Sequence, residues 1–114
     1  MKKVLCLLSN LPYQGSALAE KLDAAMVCAA FDMPTQLLFV GDGVFALLQE
    51  QAAEHRSVAK MLRALPSHEI DQIYVCAESL HARALTPDQI SELAAVVTME
   101  EQRSLLASAD LVLS

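Results

Sequence analysis

Five short apolar runs of strand length, at 4–9, 36–40, 73–76, 95–97 and 111–113, most constrain what this chain can fold into. A strand buried on both faces reads as a continuous apolar run, and that is the mark of a parallel sheet covered by helices. Stretches with helical spacing separate most of the runs. After the first, Leu18, Leu22, Ala25, Met26 and Ala29 recur on one helical face, with Glu20, Lys21 and Asp23 opposite. After the second, 44–52 reads as helical, and 57–65 places Val58, Met61, Leu62 and Leu65 on one face. Residues 77–85 follow the third run as a helix, and a helix from Thr98 to about Ser108 precedes the last. Strands alternating with helices imply βαβ units. The expected fold class is therefore α/β, a three-layer α/β/α sandwich with a mostly parallel sheet of about five strands. A chain of 114 residues suffices for one domain, residues 1–114.

Local signals punctuate these elements. The loop Asn10-Leu11-Pro12-Tyr13-Gln14-Gly15 leads to Ser16, which is placed to cap the first helix. Pro34 disfavours helical geometry at Met33, so that helix ends near Asp32. Gly41-Asp42-Gly43 breaks the second strand. Thr86-Pro87-Asp88-Gln89 and Thr98-Met99-Glu100-Glu101 both carry the capping-box pattern.

Composition excludes several function classes. The net charge is −6, with 8 basic against 14 acidic residues, which argues against direct phosphate-driven binding of nucleic acid. Hydrophobic residues make up 54% of the chain, above the usual range of about 45–50%, which leaves apolar surface for a partner subunit. No apolar run approaches the roughly 20 residues of a membrane span, so no membrane is expected. Met1-Lys2-Lys3 and the apolar run after them lack a small-residue cleavage site, and they read as a first core strand instead of a signal peptide. Three cysteines, in no metal-ligand spacing, indicate a reduced, cytoplasmic compartment.

The candidate chemistry centres on Cys76, where a strand gives way to a helix. Reactive groups collect at the carboxyl ends of strands in open α/β sheets, and a helix start favours a thiolate. Two readings stand: a nucleophilic thiolate or persulfide carrier, and a small apolar residue closing a buried strand. Glu78 would raise the thiol pKa, while His81 and Arg83 would offset it but point in different directions along a helix. Cys6, inside the first strand, and Cys28, inside the first helix, read as packing residues. His55, His68 and His81 have no ligand spacing, and no metal or cofactor is expected. Asp42 and Glu78 admit an acid/base pair, although Asp in a Gly-Asp-Gly turn is common for backbone reasons. The rim of Asn10 to Ser16 with Asp42 leaves open a small-ligand-binding α/β domain, without any phosphate-binding glycine pattern.

Three segments, VLCLLSNLPYQGSALAEKLDAAMVCAAF, LLFVGDGVFALL and YVCAESLHARAL, together with the final ADLVL, resemble the DsrE/DsrF-like sulfur-relay family, in its TusC/DsrF branch. The specific part is Asp42-Gly43-Val44-Phe45 with Leu47-Leu48, followed by Val75-Cys76-Ala77 and Ser79-Leu80. The resemblance implies a cytoplasmic subunit of a TusBCD-like or DsrEFH-like complex, partnered by two homologous small subunits (TusB/TusD-like or DsrH/DsrE-like). A TusBCD-like complex relays persulfide sulfur through a downstream sulfur acceptor protein toward 2-thiolation of the tRNA wobble uridine, so tRNA is met only indirectly. A DsrEFH-like complex serves sulfur oxidation. In the family the principal sulfur-accepting cysteine belongs to the TusD/DsrE subunit, at the position matching Cys76. The resemblance thus implies a largely structural or auxiliary role for this chain, with Cys76 as candidate persulfide site, or alternatively a Cys76 sulfurtransferase.

Overall fold

A computed structural model describes residues 2–12, 15–48 and 56–114 of the chain, with the backbone alone at 56, 57 and 59. Its strands are β1 (Val4–Leu8), β2 (Thr35–Phe39), β3 (Gln72–Cys76), β4 (Ala95–Val97) and β5 (Leu111–Leu113). Its helices are α1 (Ala17–Ala30), α2 (Arg56–Ala64), α3 (Ala77–Ala82) and α4 (Met99–Ser108). The strands form one sheet in the order β4-β3-β2-β1-β5, and all neighbouring pairs are parallel. The expected α/β class is what the chain adopts, with parallel pairing throughout the sheet.

Chain direction decides which face each helix covers. From β1 to β4 the strands step one way across the sheet, and right-handed crossovers then put α1, α2 and α3 on one face. The return from β4 to β5 runs the other way, which sends α4 to the opposite face. The core divides accordingly. Cys6, Leu8, Leu37, Phe39, Ile73 and Val75 pack with Leu18 and Leu22 of α1, Leu62 of α2 and Leu80 of α3. Leu5, Leu38 and Val97, with Leu7, Val40 and Tyr74, pack against Leu105 and Ala109 at the α4 end. The side-chain period of two makes this split: successive residues of each strand serve opposite layers.

The periodic helices match their patterns. Leu18, Leu22, Ala25 and Ala29 of α1 are buried, as are Val58 and Leu62 of α2. Thr98 and Glu101 form the expected capping box: Glu101 N–H donates to Thr98 Oγ1 at 3.2 Å and Thr98 N–H to Glu101 Oε1 at 3.0 Å. Ser16 does precede α1, but its hydroxyl donates to Glu20 Oε1 at 3.2 Å and makes no cap bond to the backbone. Tyr13 and Gln14 of that loop lie outside the described residues.

Two expectations need correction. The stretch expected as a helix over 44–52 is a 3-10 helix, Gly41–Leu47, after which Leu48 bridges Ile90; residues 49–52 lie outside the described residues. Three residues per turn stacks Val44 under Leu47, and both are buried. The helix expected over 77–85 ends at Ala82. Ala84 turns left-handed (φ 55°), its N–H donates to His81 O, and Leu85 N–H donates back to Leu80 O. That is a Schellman closure made with Ala, where the usual glycine signal is missing. The capping box at 86–89 is formed as its pattern predicts, and the turn of helix that it opens is a 3-10 turn, Pro87–Gln89.

Candidate functional site

Cys76 ends β3 on the face that looks toward α4, in register with Val97 of β4. The connections after these neighbouring strands diverge, β3 running into α3 on one face and β4 into α4 on the other. Divergence of this kind opens the crevice in which α/β proteins bind ligands. A shallow open groove lies there, lined by Val40, Cys76, Glu78, Ser79, Arg83, Met99 and Gln102, among others. Cys76 is 4% exposed and meets solvent through this groove.

The thiol is hydrogen-bonded to α3 and faces α4 across the groove. Cys76 is the residue that caps α3, and Ser79 N–H donates to its Sγ at 3.4 Å. Burial pushes the thiol pKa up, but hydrogen bonds from the Ser79 side chain and backbone outweigh it, helped by the Gln102 amide and the Glu78 backbone. The net effect holds the thiol below its ordinary value of 9.0. The Gln102 amide acts at longer range, since its Nε2 has no hydrogen-bond partner among the described residues. The Glu78 carboxylate does not raise the pKa as its position in the sequence suggested. It is exposed, and its residue acts on the thiol through the main chain. Cys6 is the opposite case: burial, partly countered by Lys21 and reinforced by Cys28, pushes its thiol up to about 11.

A second set of contacts holds α3 against the Gly41–Leu47 turn. Gly41 N–H donates to Ser79 Oγ at 2.9 Å. Arg83 donates from Nε (3.2 Å) and Nη2 (3.0 Å) to Asp42 Oδ1, and from Nη1 to Ser79 O at 3.1 Å. The ion pair is half open to solvent and contributes little stability. Its consequence is positional, since it holds the guanidinium at the groove. Asp42 is therefore the partner of Arg83 and not of Glu78, against the acid/base-pair reading. The glycines of this turn have separate reasons. Gly41 sits at φ +54°, and a Cβ on Gly43 would lie 1.9 Å from Leu8 O.

The chain matches the DsrE/DsrF-like family over residues 2–114. The chain belongs to the DsrE/DsrF-like family. It is thus a member of the sulfur-relay family that the resemblance implied. It is 34% identical over 106 residues to the Protein TusC homolog of Pseudomonas aeruginosa, covering 90% of this chain and 89% of that one. To Protein TusC of Klebsiella pneumoniae it is 38% identical over 90 residues, 76% of each chain. To the intracellular sulfur oxidation protein DsrF of Allochromatium vinosum it is 34% identical over 97 residues, 82% of this chain and 71% of that one. The crystal structure of the ychN protein from E. coli superposes with a TM-score of 0.84 at 22% identity, over 99% of this chain and 98% of that one, and shows the fold.

The remaining candidates are dispersed. His68 lies after α2 and His81 is exposed on α3 outside the groove, while His55 lies outside the described residues. No three His, Cys, Asp or Glu side chains among the described residues gather as a metal site requires. Asn10 of the proposed ligand rim accepts from Lys21 Nζ at 2.6 Å. No helix among the described residues is long and apolar enough to cross a membrane. Sequence reading missed Gln102. Its one signal is an amide sharing a helical face with Leu105 and Ala109, the face that α4 turns to the sheet.

Proposed function

We propose that this chain, as one domain over 1–114, is a cytoplasmic subunit of a TusBCD-like sulfur-relay complex, with a largely structural or auxiliary role. The complex passes persulfide sulfur toward 2-thiolation of the tRNA wobble uridine. Its partners are two homologous small subunits and a downstream sulfur acceptor protein, and tRNA is met only indirectly. The observation that carries the reading is a thiol held below its ordinary pKa in the crevice of a chain resembling proteins named TusC.

At Cys76 the step is a sulfur exchange. The thiolate attacks the terminal sulfur of a donor persulfide, the donor S–S bond breaks and a new bond forms to Cys76 Sγ. The donor leaves as its thiolate and the proton stays on the transferred sulfur, so no outside oxidant is needed. Exposed apolar side chains support the structural half of the role. Val27 on α1 and Phe31 at its C-terminal cap are 55% and 75% exposed, and Leu106, Leu111 and Val112 are open on α4 and β5.

A second reading, sulfur oxidation in a DsrEFH-like complex, is favoured by the match to DsrF alone. Co-expression with the products of neighbouring genes, followed by light scattering, tests the assembly. A stable complex of three different small subunits is expected, and a persistent monomer would refute it. Intact mass after treatment with a persulfide donor tests the thiol. A gain of one sulfur that disappears in Cys76→Ser is the expected result.

A further inference from the structure

Gln102 is the one residue of the groove whose chemistry is left incomplete. It is 7% exposed on the inner face of α4, and its Nε2 is buried without an acceptor among the described residues. An amide N–H is costly to bury unpaired, and a helix needing only to fill this space is served better by Leu or Met. The amide lines the same groove as Cys76, contributed from the opposite layer of the sandwich. Around the thiol the formal charges are Glu78 on α3 and Arg83 at its C-terminal cap, the latter paired with Asp42; Val40, Met99 and Gln102 from the other elements are uncharged. Ser79 N–H already occupies one side of Sγ. The missing partner is an acceptor in the groove, and an anionic sulfur is a large, polarisable acceptor that takes several donors.

We propose that Gln102 is the second donor of the sulfur site: its Nε2–H bonds the Cys76 thiolate and, once sulfur is transferred, the terminal sulfur of the Cys76 persulfide. The first half needs only an ionised thiol, whereas the second rests on the sulfur-relay reading given above. A persulfide lengthens the side chain by one S–S bond, about 2 Å, and once its terminal S–H gives up its proton to solvent the charge sits on the outer sulfur, in the groove toward α4. Ser79 N–H holds the inner sulfur and Gln102 the outer one. Gln102 therefore positions the sulfur to be passed on and slows its loss to solvent nucleophiles.

The test uses the full chain, assembled with its partners if it requires them, in a Cys28→Ser background that leaves Cys76 the reporting thiol. Gln102→Leu removes the donors at similar volume, and Gln102→Met is a second apolar replacement should Leu pack poorly. The rate of Cys76 alkylation by iodoacetamide is followed against pH, and the half-life of sulfur loaded from inorganic polysulfide is followed by intact mass. Both variants are expected to melt at or above the parent's temperature, because an unpaired buried amide is gone. Their thiolate fraction at pH 7 is expected to fall about three- to tenfold, the effect of losing one hydrogen bond to a charged group weakened by the open, solvated groove. The half-life of the loaded sulfur should shorten by a similar factor. Superimposable pH profiles and equal half-lives would overturn the proposal while leaving sulfur loading intact. A shifted profile in a protein that never takes up sulfur would sustain Gln102 as thiolate donor and refute the relay reading of Cys76.

Discussion

Replacing Ser79 with Ala isolates the part of the Cys76 environment that a side chain controls. The backbone N–H of residue 79 still donates to Sγ, because it belongs to the first turn of α3. The hydroxyl is lost, and with it the contribution that follows burial in size and opposes it. The thiol pKa must therefore rise. A hydrogen bond to a charged group is worth about 1.5–3 kcal/mol when shielded, and the open groove brings this to about 1 kcal/mol, so the thiolate fraction at pH 7 falls about fivefold. The same substitution leaves Gly41 N–H without its acceptor. That costs about 0.5–1.5 kcal/mol of stability and loosens the turn against α3. Iodoacetamide alkylation over pH 6–10, read by intact mass in a Cys28→Ser background, reports Cys76, because Cys6 is buried with its pKa near 11. Urea unfolding of the same samples reports the stability. The reasoning fails if the Ser79→Ala profile superimposes on the parent's, or if the parent's Cys76 titrates above 9.0.

Gly43→Ala is expected to lower unfolding stability by about 3 kcal/mol, since its Cβ meets the backbone of β1, which has no flexible end to yield. A urea midpoint within error of the parent's would show that the contact between this turn and β1 relaxes freely. Cys6 predicts an alkaline limb of stability. Its folded pKa of about 11 lies above the unfolded value of 9.0, so the native state holds the proton more tightly. The contribution is complete below pH 9 and is lost as pH rises from 9 to 11. Cys6→Ala should flatten that limb, and an unchanged slope between the two proteins would assign it to other groups.

Much of the fold was legible because burial writes itself into local pattern. Leu18, Leu22, Ala25 and Ala29 fall on one face of α1 at the spacing that predicts it, and the Thr98 box opens α4 as written. The errors occur where tertiary contacts override local pattern. The apolar stretch after Gly43 satisfies a helical count, yet close approach to Leu8 and the Leu48–Ile90 bridge shape it as a 3-10 turn. The end of α3 carries no glycine, and Ala84 takes a left-handed conformation that costs about 1 kcal/mol because Leu80 and Leu85 close the turn.

The sequence by itself determined the α/β class, the strand-to-helix position of Cys76 and the family, because these follow from periodicity and from residues adjacent in the chain. It could not determine the state of the thiol. The neighbour in sequence, Glu78, is exposed and acts on the thiol through its main chain, whereas Gln102, 26 residues after Cys76, comes to the groove only because the strand order sends α3 and α4 to opposite faces. Hydrogen bonds and desolvation act through space over a few ångströms. The layer on which each helix lands, and not its distance along the chain, decides what surrounds Cys76.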